Sequence, residues 1–198
     1  MASCEMANTG RLTGLWLSEE SSSAQEPSRP TWPCLEMLCA RPDRVELSLP
    51  CALEAADQLH EFLAGCFADL QEDVRESVKT SLRELVLNAI EWGGRSDATK
   101  RVRVVILRSQ SAVICRVIDP GEGFRREDLS HAAVSNPDNR PYNHMAVREQ
   151  KGLRPGGFGL AIVRGSVDHL IYNDVGNEVV FLKYIDPPPA TGISRSSL

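Results

Sequence analysis

At 198 residues, 42% of them apolar and 25% charged, the chain has the size and apolar content of one domain with a real core, and a second full domain does not fit. A formal charge of −5 with scattered rather than clustered Lys and Arg excludes a general nucleic-acid binder, whose phosphate contacts need a basic face. No stretch approaches the ~18 consecutive apolar residues of a membrane span, and Met1 to Gly10 has neither a basic n-region nor an apolar h-region, so a cytoplasmic protein with no membrane partner is expected.

Residues 1–42 are rich in Ser, Pro and Glu, notably Ser18-Glu19-Glu20-Ser21-Ser22-Ser23 and Pro27 to Pro33, and carry no sustained period, which predicts a flexible leader. The apolar patches Leu12 to Leu17 and Trp32 to Leu38 are able to dock. From Arg44 to Leu49 apolar and polar residues alternate as in a strand, and after Pro50 a helix is expected from about Leu53 to Leu70, with Leu59, Phe62, Leu63 and Cys66 on one face. A second helix is expected from about Asp73 to Trp92, its buried stripe made by Val78, Leu82, Leu85, Val86 and Ala89 and its stop by Gly93-Gly94. Two strands follow, Arg101 to Leu107 and Ala112 to Ile118.

The polar, irregular run at 124–155 is long for a connection in one domain and predicts a lid. Beyond Gly159, residues Leu160, Val163, Val167 and Leu170 mark a helix, and Leu170 to Asn173 with Glu178 to Tyr184 form a hairpin about Asp174-Val175-Gly176-Asn177. Proline has no amide proton, so the tail at 186–198, opening Asp186-Pro187-Pro188-Pro189, cannot extend a sheet and is expected to be disordered. Segregated helices and hairpin-linked strands imply an α+β fold over 43–185: a two-layer sandwich with helices on one face of a mixed, mostly antiparallel sheet. The six cysteines contain no C-x-x-C pair and, with four histidines, no zinc spacing, so reduced structural thiols are expected.

Three short blocks carry chemistry. Glu84 and Asn88 are one helical turn apart and converge on one point; an amide oxygen can ligate Mg²⁺, and a carboxylate beside it can orient or deprotonate a nucleophile. Asp119 ends an apolar strand where Pro120, Gly121 and Gly123 turn the chain, placing an acid where it can accept a hydrogen bond from the exocyclic amine of adenine. Gly156-Gly157-Phe158-Gly159 opens a helix, so free amides and the positive end of the helix dipole make a phosphate seat, to which Lys151 and Arg154 can add charge. Each block alone is also a solvated helix face, a plain turn or a flexible loop; their fixed order describes a place for a nucleotide.

With these residues in that order the sequence resembles the GHKL ATPase fold shared by gyrase-type and histidine-kinase ATP domains, and within it the small anti-sigma-factor serine/threonine kinases. Glu84-x-x-x-Asn88 matches the asparagine box, Asp119-x-Gly121-x-Gly123 the first glycine box and Gly157-x-Gly159-Leu160 the second, over roughly residues 44–185. The resemblance implies Glu84 as general base, Asn88 as Mg²⁺ ligand, Asp119 as adenine reader, and Gly121, Gly123, Gly156, Gly157, Gly159 and Leu160 with Lys151 and Arg154 as the nucleotide's surroundings. It also implies ATP and Mg²⁺ as cofactors, and as partners a STAS-type anti-anti-sigma protein and a sigma factor, commonly with a homodimer. Trp92-Gly93 departs from the His-Gly of many members. His60-Glu61 is a decoy for a phosphoaccepting histidine, because it lies in the first helix of the domain itself. The expected activity is transfer of the γ-phosphate to a Ser or Thr hydroxyl of a small regulatory protein; a non-catalytic ATP-gated binding module and a vestigial interaction platform are the alternatives.

Overall fold

Six strands and four α-helices account for most of the described residues, which are 32–123, 143–150 and 157–186 of a computed structural model. The strands are β1 (Glu36–Arg41), β2 (Arg44–Pro50), β3 (Arg101–Arg108), β4 (Ala112–Ile118), β5 (His169–Tyr172) and β6 (Glu178–Tyr184). The helices are α1 (Leu53–Cys66), α2 (Glu72–Asn88), α3 (Asn143–Gln150) and α4 (Gly159–Ser166), and a π-helical turn, Ala89–Gly93, continues α2 without a break.

One sheet takes all six strands in the order β1-β2-β3-β4-β6-β5. Alternation fixes its register: Val45, Leu47 and Leu49 of β2, Val102, Val104 and Ile106 of β3, and Val113, Cys115 and Val117 of β4 are buried on the helix side. A slip of one residue would turn each of these sets to solvent. On the other face Glu46 accepts from Arg44 at 2.8 Å and from Arg103, and these guanidinium partners, Arg44 first, hold its carboxyl below the usual range.

The sandwich is the expected one, and among the described residues every strand pairing is antiparallel, so no mixed sheet is formed there. Two helices, not one, separate β2 from β3, so the chain reverses an odd number of times and returns antiparallel to its neighbour. The leader boundary also moves. Residues 36–41, read from composition as leader, form edge strand β1 on β2, and Trp32 stands edge-on to Phe62 of α1 with ring centroids 5.0 Å apart. Five of its six residues are exposed, on both faces of the sheet, so its sequence carries little alternation to read.

Helix α1 ends at Cys66, a turn earlier than its periodicity suggests; Phe67 and Leu70 continue the buried face from a turn closed by the bond from Leu70 N–H to the Phe67 carbonyl. Helix α4 likewise stops at Ser166, and Leu170 belongs to β5. The segment expected as an irregular lid contains α3; the rest of it, 124–142 and 151–155, lies outside the described residues, as do 1–31, 156 and 187–198. Cys34, Cys39, Cys51, Cys66 and Cys115 are free thiols, and burial pushes Cys66 up to about 12. No helix among the described residues is long and apolar enough to cross a membrane.

Candidate functional site

Helix α2 is the element around which the three blocks gather. It lies on β4 and β6 and is flanked by α1 and α4. Burial of Val78, Leu82, Leu85 and Val86 against these neighbours leaves Glu84 and Asn88 half-buried at the rim, one turn apart on the same side. Asn88 makes no side-chain hydrogen bond among the described residues.

Block one meets block three at Gly159. A Cβ placed on this first residue of α4 would lie 2.4 Å from Glu84 Oε2, so only glycine lets the helix end come this close to the carboxylate. Among the described residues no side chain caps the first turn of α4, whose amides have no intrahelical acceptor. A ready anion seat therefore lies beside Glu84. Gly157, with φ at +92°, takes the left-handed conformation glycine supplies without strain. The side chain of Leu160 is partly buried against the core, and its backbone amide lies in the first turn of α4.

Block one meets block two through the π-helical turn. Its widening carries Gly93 onto Asp119: a Cβ on Gly93 would fall 2.2 Å from Asp119 Oδ1 and 2.5 Å from its Cβ. Gly121 is also closely packed: a Cβ placed on it would fall 2.8 Å from both Asp119 Oδ1 and the Gly93 Cα. The stop expected at Gly93-Gly94 has a different physical basis. Gly94 is right-handed and bonds to the Ala89 carbonyl, and the left-handed residues are Arg95 and Ser96, so the two glycines are there for close approach, Gly94 to the Cys51 sulfur.

Asp119 Oδ1 accepts from the Gly121 amide at 2.7 Å, and Oδ2 has no hydrogen-bond partner among the described residues. Burial pushes the Asp119 carboxyl above the usual range, opposed by that amide. A half-desolvated acid with one oxygen anchored and one open can read a single donor.

The turn between β5 and β6 supplies support that sequence reading missed. Asn177 accepts from the Asp119 amide through its carbonyl at 3.0 Å and donates from Nδ2 to the Gly121 carbonyl at 3.3 Å. A Cβ on Gly123, at φ +86°, would lie 2.0 Å from the Val175 carbonyl. Nothing in Asp174-Val175-Gly176-Asn177 distinguishes it from an ordinary hairpin turn, so the signal is tertiary. Across the site, His144 of α3 meets Phe158 edge-on at 4.6 Å.

Lys151, Arg154 and Gly156 lie outside the described residues. No cluster of His, Cys, Asp or Glu among the described residues is built to cage a metal. An ion on Asn88 would draw its remaining ligands from phosphate and water, the arrangement Mg²⁺ favours. His60 is a half-buried α1 residue whose Nδ1 has no hydrogen-bond partner among the described residues; burial, then Lys79 and Arg83, keep its ring below the usual range.

The sequence model of the family described as histidine kinase-like ATPase domain matches residues 49–183, a span that contains every element from α1 to β5 and all three blocks. No curated protein matches the chain.

Proposed function

The chain belongs to the histidine kinase-like ATPase domain family, and from that premise we propose that it is an ATP-dependent protein serine/threonine kinase that phosphorylates a small STAS-like regulatory partner. The observation that carries this reading is the placement of Glu84 against the uncapped start of α4. A module that only closed on ATP would have no use for a carboxylate at the phosphate end.

In this reading Asp119 Oδ2 accepts the adenine amine, Gly121 and Gly123 pass close under the base, and the first-turn amides of α4 bind phosphate oxygens. Glu84 takes the proton of the incoming hydroxyl as its oxygen bonds to the γ-phosphorus. Mg²⁺ held by Asn88 would neutralise charge on the phosphates. The resemblance to anti-sigma-factor kinases supports a STAS-type anti-anti-sigma protein as acceptor and a sigma factor as second partner, with a homodimer as the working unit.

The test is incubation of the full chain with Mg-ATP and such a partner, followed by intact mass measurement. A phosphoryl group gained by the partner supports the kinase. A partner retained only with ATP but unmodified would overturn it in favour of a nucleotide-gated module, and absence of ATP binding would leave an interaction platform.

One substitution separates chemistry from folding. In Gly159→Ala the new methyl collides with the far end of a flexible side chain, so Glu84 swings away rather than the helix breaking. Gly159 has no left-handed φ, so alanine fits its backbone and narrows the unfolded ensemble, a gain of ~0.4–1 kcal/mol. The expected result is an unchanged or slightly raised melting temperature with transfer reduced at least tenfold, read by thermal melts beside the mass assay.

A further inference from the structure

We propose that the open face of the sheet is where two copies of this chain meet, sheet against sheet, in a symmetric dimer. The inference rests on the reading above only in taking a homodimer as the working unit; the face itself is read from the strands.

An antiparallel sheet with one solvated face sets apolar residues inward and polar residues outward along each strand. Strands β4 and β6 break this rule. Strand β6 turns Val179 and Phe181 into the core and sets Val180, Leu182 and Tyr184 on the opposite face. Strand β4 turns Val113, Cys115 and Val117 inward and sets Ile114 on that same outer face. Register then joins the outward residues across strands. Leu107 of β3 stands opposite Ile114, Ile114 opposite Leu182, and Val180 opposite Ile171 of β5. They form one apolar block toward the β5 edge, in which Ile171 is 65% and Leu107 38% exposed. Strands apolar on both sides belong to sheets that are covered on both.

Charge says what kind of cover fits. The ions flanking the block are matched within the face: Glu46 accepts from Arg44 and Arg103, Arg101 donates to Glu36 at 2.9 Å, and Arg116 makes two bonds of 2.7 Å to Glu178. Covering these pairs does not call for an oppositely charged partner to neutralise them. With Arg41, which stands opposite Arg44, the strands give this face five arginines and three glutamates, a positive balance in a chain of −5. The negative charge therefore sits elsewhere on the molecule, and two copies repel least when they meet here.

Size agrees with a second copy. Six strands ~4.8 Å apart and about seven residues long make a face roughly 24 Å on a side, so two copies bury at least about 1,000 Å² together, what a specific interface needs. Two twisted sheets stack ~10 Å apart with their strands about 30° from alignment, which gives the layers helix, sheet, sheet, helix. Helix α2 lies on β4 and β6 from the other side, so Glu84 and Asn88 stay on the outside of such a dimer. Association is then independent of ATP.

The experiment measures the mass of the full chain by sedimentation from about 1 to about 100 µM, with and without Mg-ATP. Expected is twice the 21.8 kDa of one chain, unchanged by Mg-ATP and unchanged in Glu84→Gln. Leu107→Lys and Ile171→Lys alter exposed positions, so the fold has room for them, and each sets like charges face to face. Each is expected to weaken association at least ~100-fold. Leu53→Lys, at an exposed position of α1, is expected to leave it unchanged. Carbene footprinting of the wild type gives a reading that needs no variant: label on Leu107, Ile171 and Tyr184 falls as the protein is concentrated, and label on Leu53 does not. A single-chain mass throughout, a dimer that survives both lysines, or a footprint that falls outside the sheet face overturns the inference. A dimer through this face that transfers no phosphate removes the kinase and leaves the interface; a monomer that phosphorylates an added partner removes the interface and leaves the kinase.

Discussion

Asp119→Asn is expected to lower ATP affinity by about 10- to 100-fold, the loss of one hydrogen bond to a charged group, while the free protein melts at or above the wild-type temperature. The two halves of this result have one cause. Asp119 Oδ1 is committed to the Gly121 amide, so the asparagine oxygen keeps that bond and its NH₂ takes the place of Oδ2. A donor then faces the adenine amine, also a donor. The fold does not object, because burial already pushes the Asp119 carboxyl above its ordinary 3.8, which means that the charged form is less favourable in the folded chain than in the unfolded one. Stability from this group is full below the unfolded value and lost as pH rises through the folded one, and a neutral amide removes that loss. The same shift sets the pH dependence of binding: affinity is full above the raised value and falls as pH drops through it, at a higher pH than an exposed aspartate would give. Calorimetric titration of wild type and variant across that range, beside melts of the free proteins, measures both halves. Equal ATP affinity in the two proteins would show that Asp119 does not read the base.

How much of this site could be read beforehand follows from what each residue's role depends on. The central strands were legible to within a residue because their faces differ: Val102, Val104 and Ile106 look inward while Arg101 and Arg103 look out. Helix α2 was legible because Val78, Leu82, Leu85 and Val86 repeat at its period. Glu84, Asn88, Asp119, Gly121, Gly123, Gly157 and Gly159 were legible as types in an order, and the structure adds which touches which. What stayed hidden is tertiary. A π-helical turn adds one residue to a 3.6-residue pattern, too little to disturb a period, yet it brings Gly93 onto Asp119. Asn177 supports Asp119 across a span that no local rule connects. Edge strand β1 was lost in a Ser/Pro-rich leader because neither of its faces is buried, which leaves no alternation. The helical spacing of Val163, Val167 and Leu170 ran on through a helix–strand junction, because both elements turn apolar residues to the same core.

Glu84→Gln is expected to leave ATP binding within about twofold of wild type and to lower phosphoryl transfer by ~10²–10⁴-fold, the span a general base supplies. Glutamine has nearly the shape of glutamate, so it fills the space over Gly159 and the start of α4 does not move. Its amide cannot take up a proton, so the substitution removes the proton acceptor, with its charge, while keeping the side chain's size and shape. The neighbouring charges make the reading specific. Arg83 lies 3.8 Å from Glu84 Oε1 but bonds to Asp57 at 2.8 Å, so its guanidinium stays in place when the charge at 84 is lost. A variant that lost transfer because the helix pair came apart would also melt lower and bind ATP poorly. Single-turnover transfer to a partner, titration with Mg-ATP and thermal melts distinguish the two. Loss of transfer alone assigns the base. Transfer at the wild-type rate would move the proton acceptor elsewhere and leave Glu84 as a residue that shapes the phosphate seat, a role glutamine fills equally well.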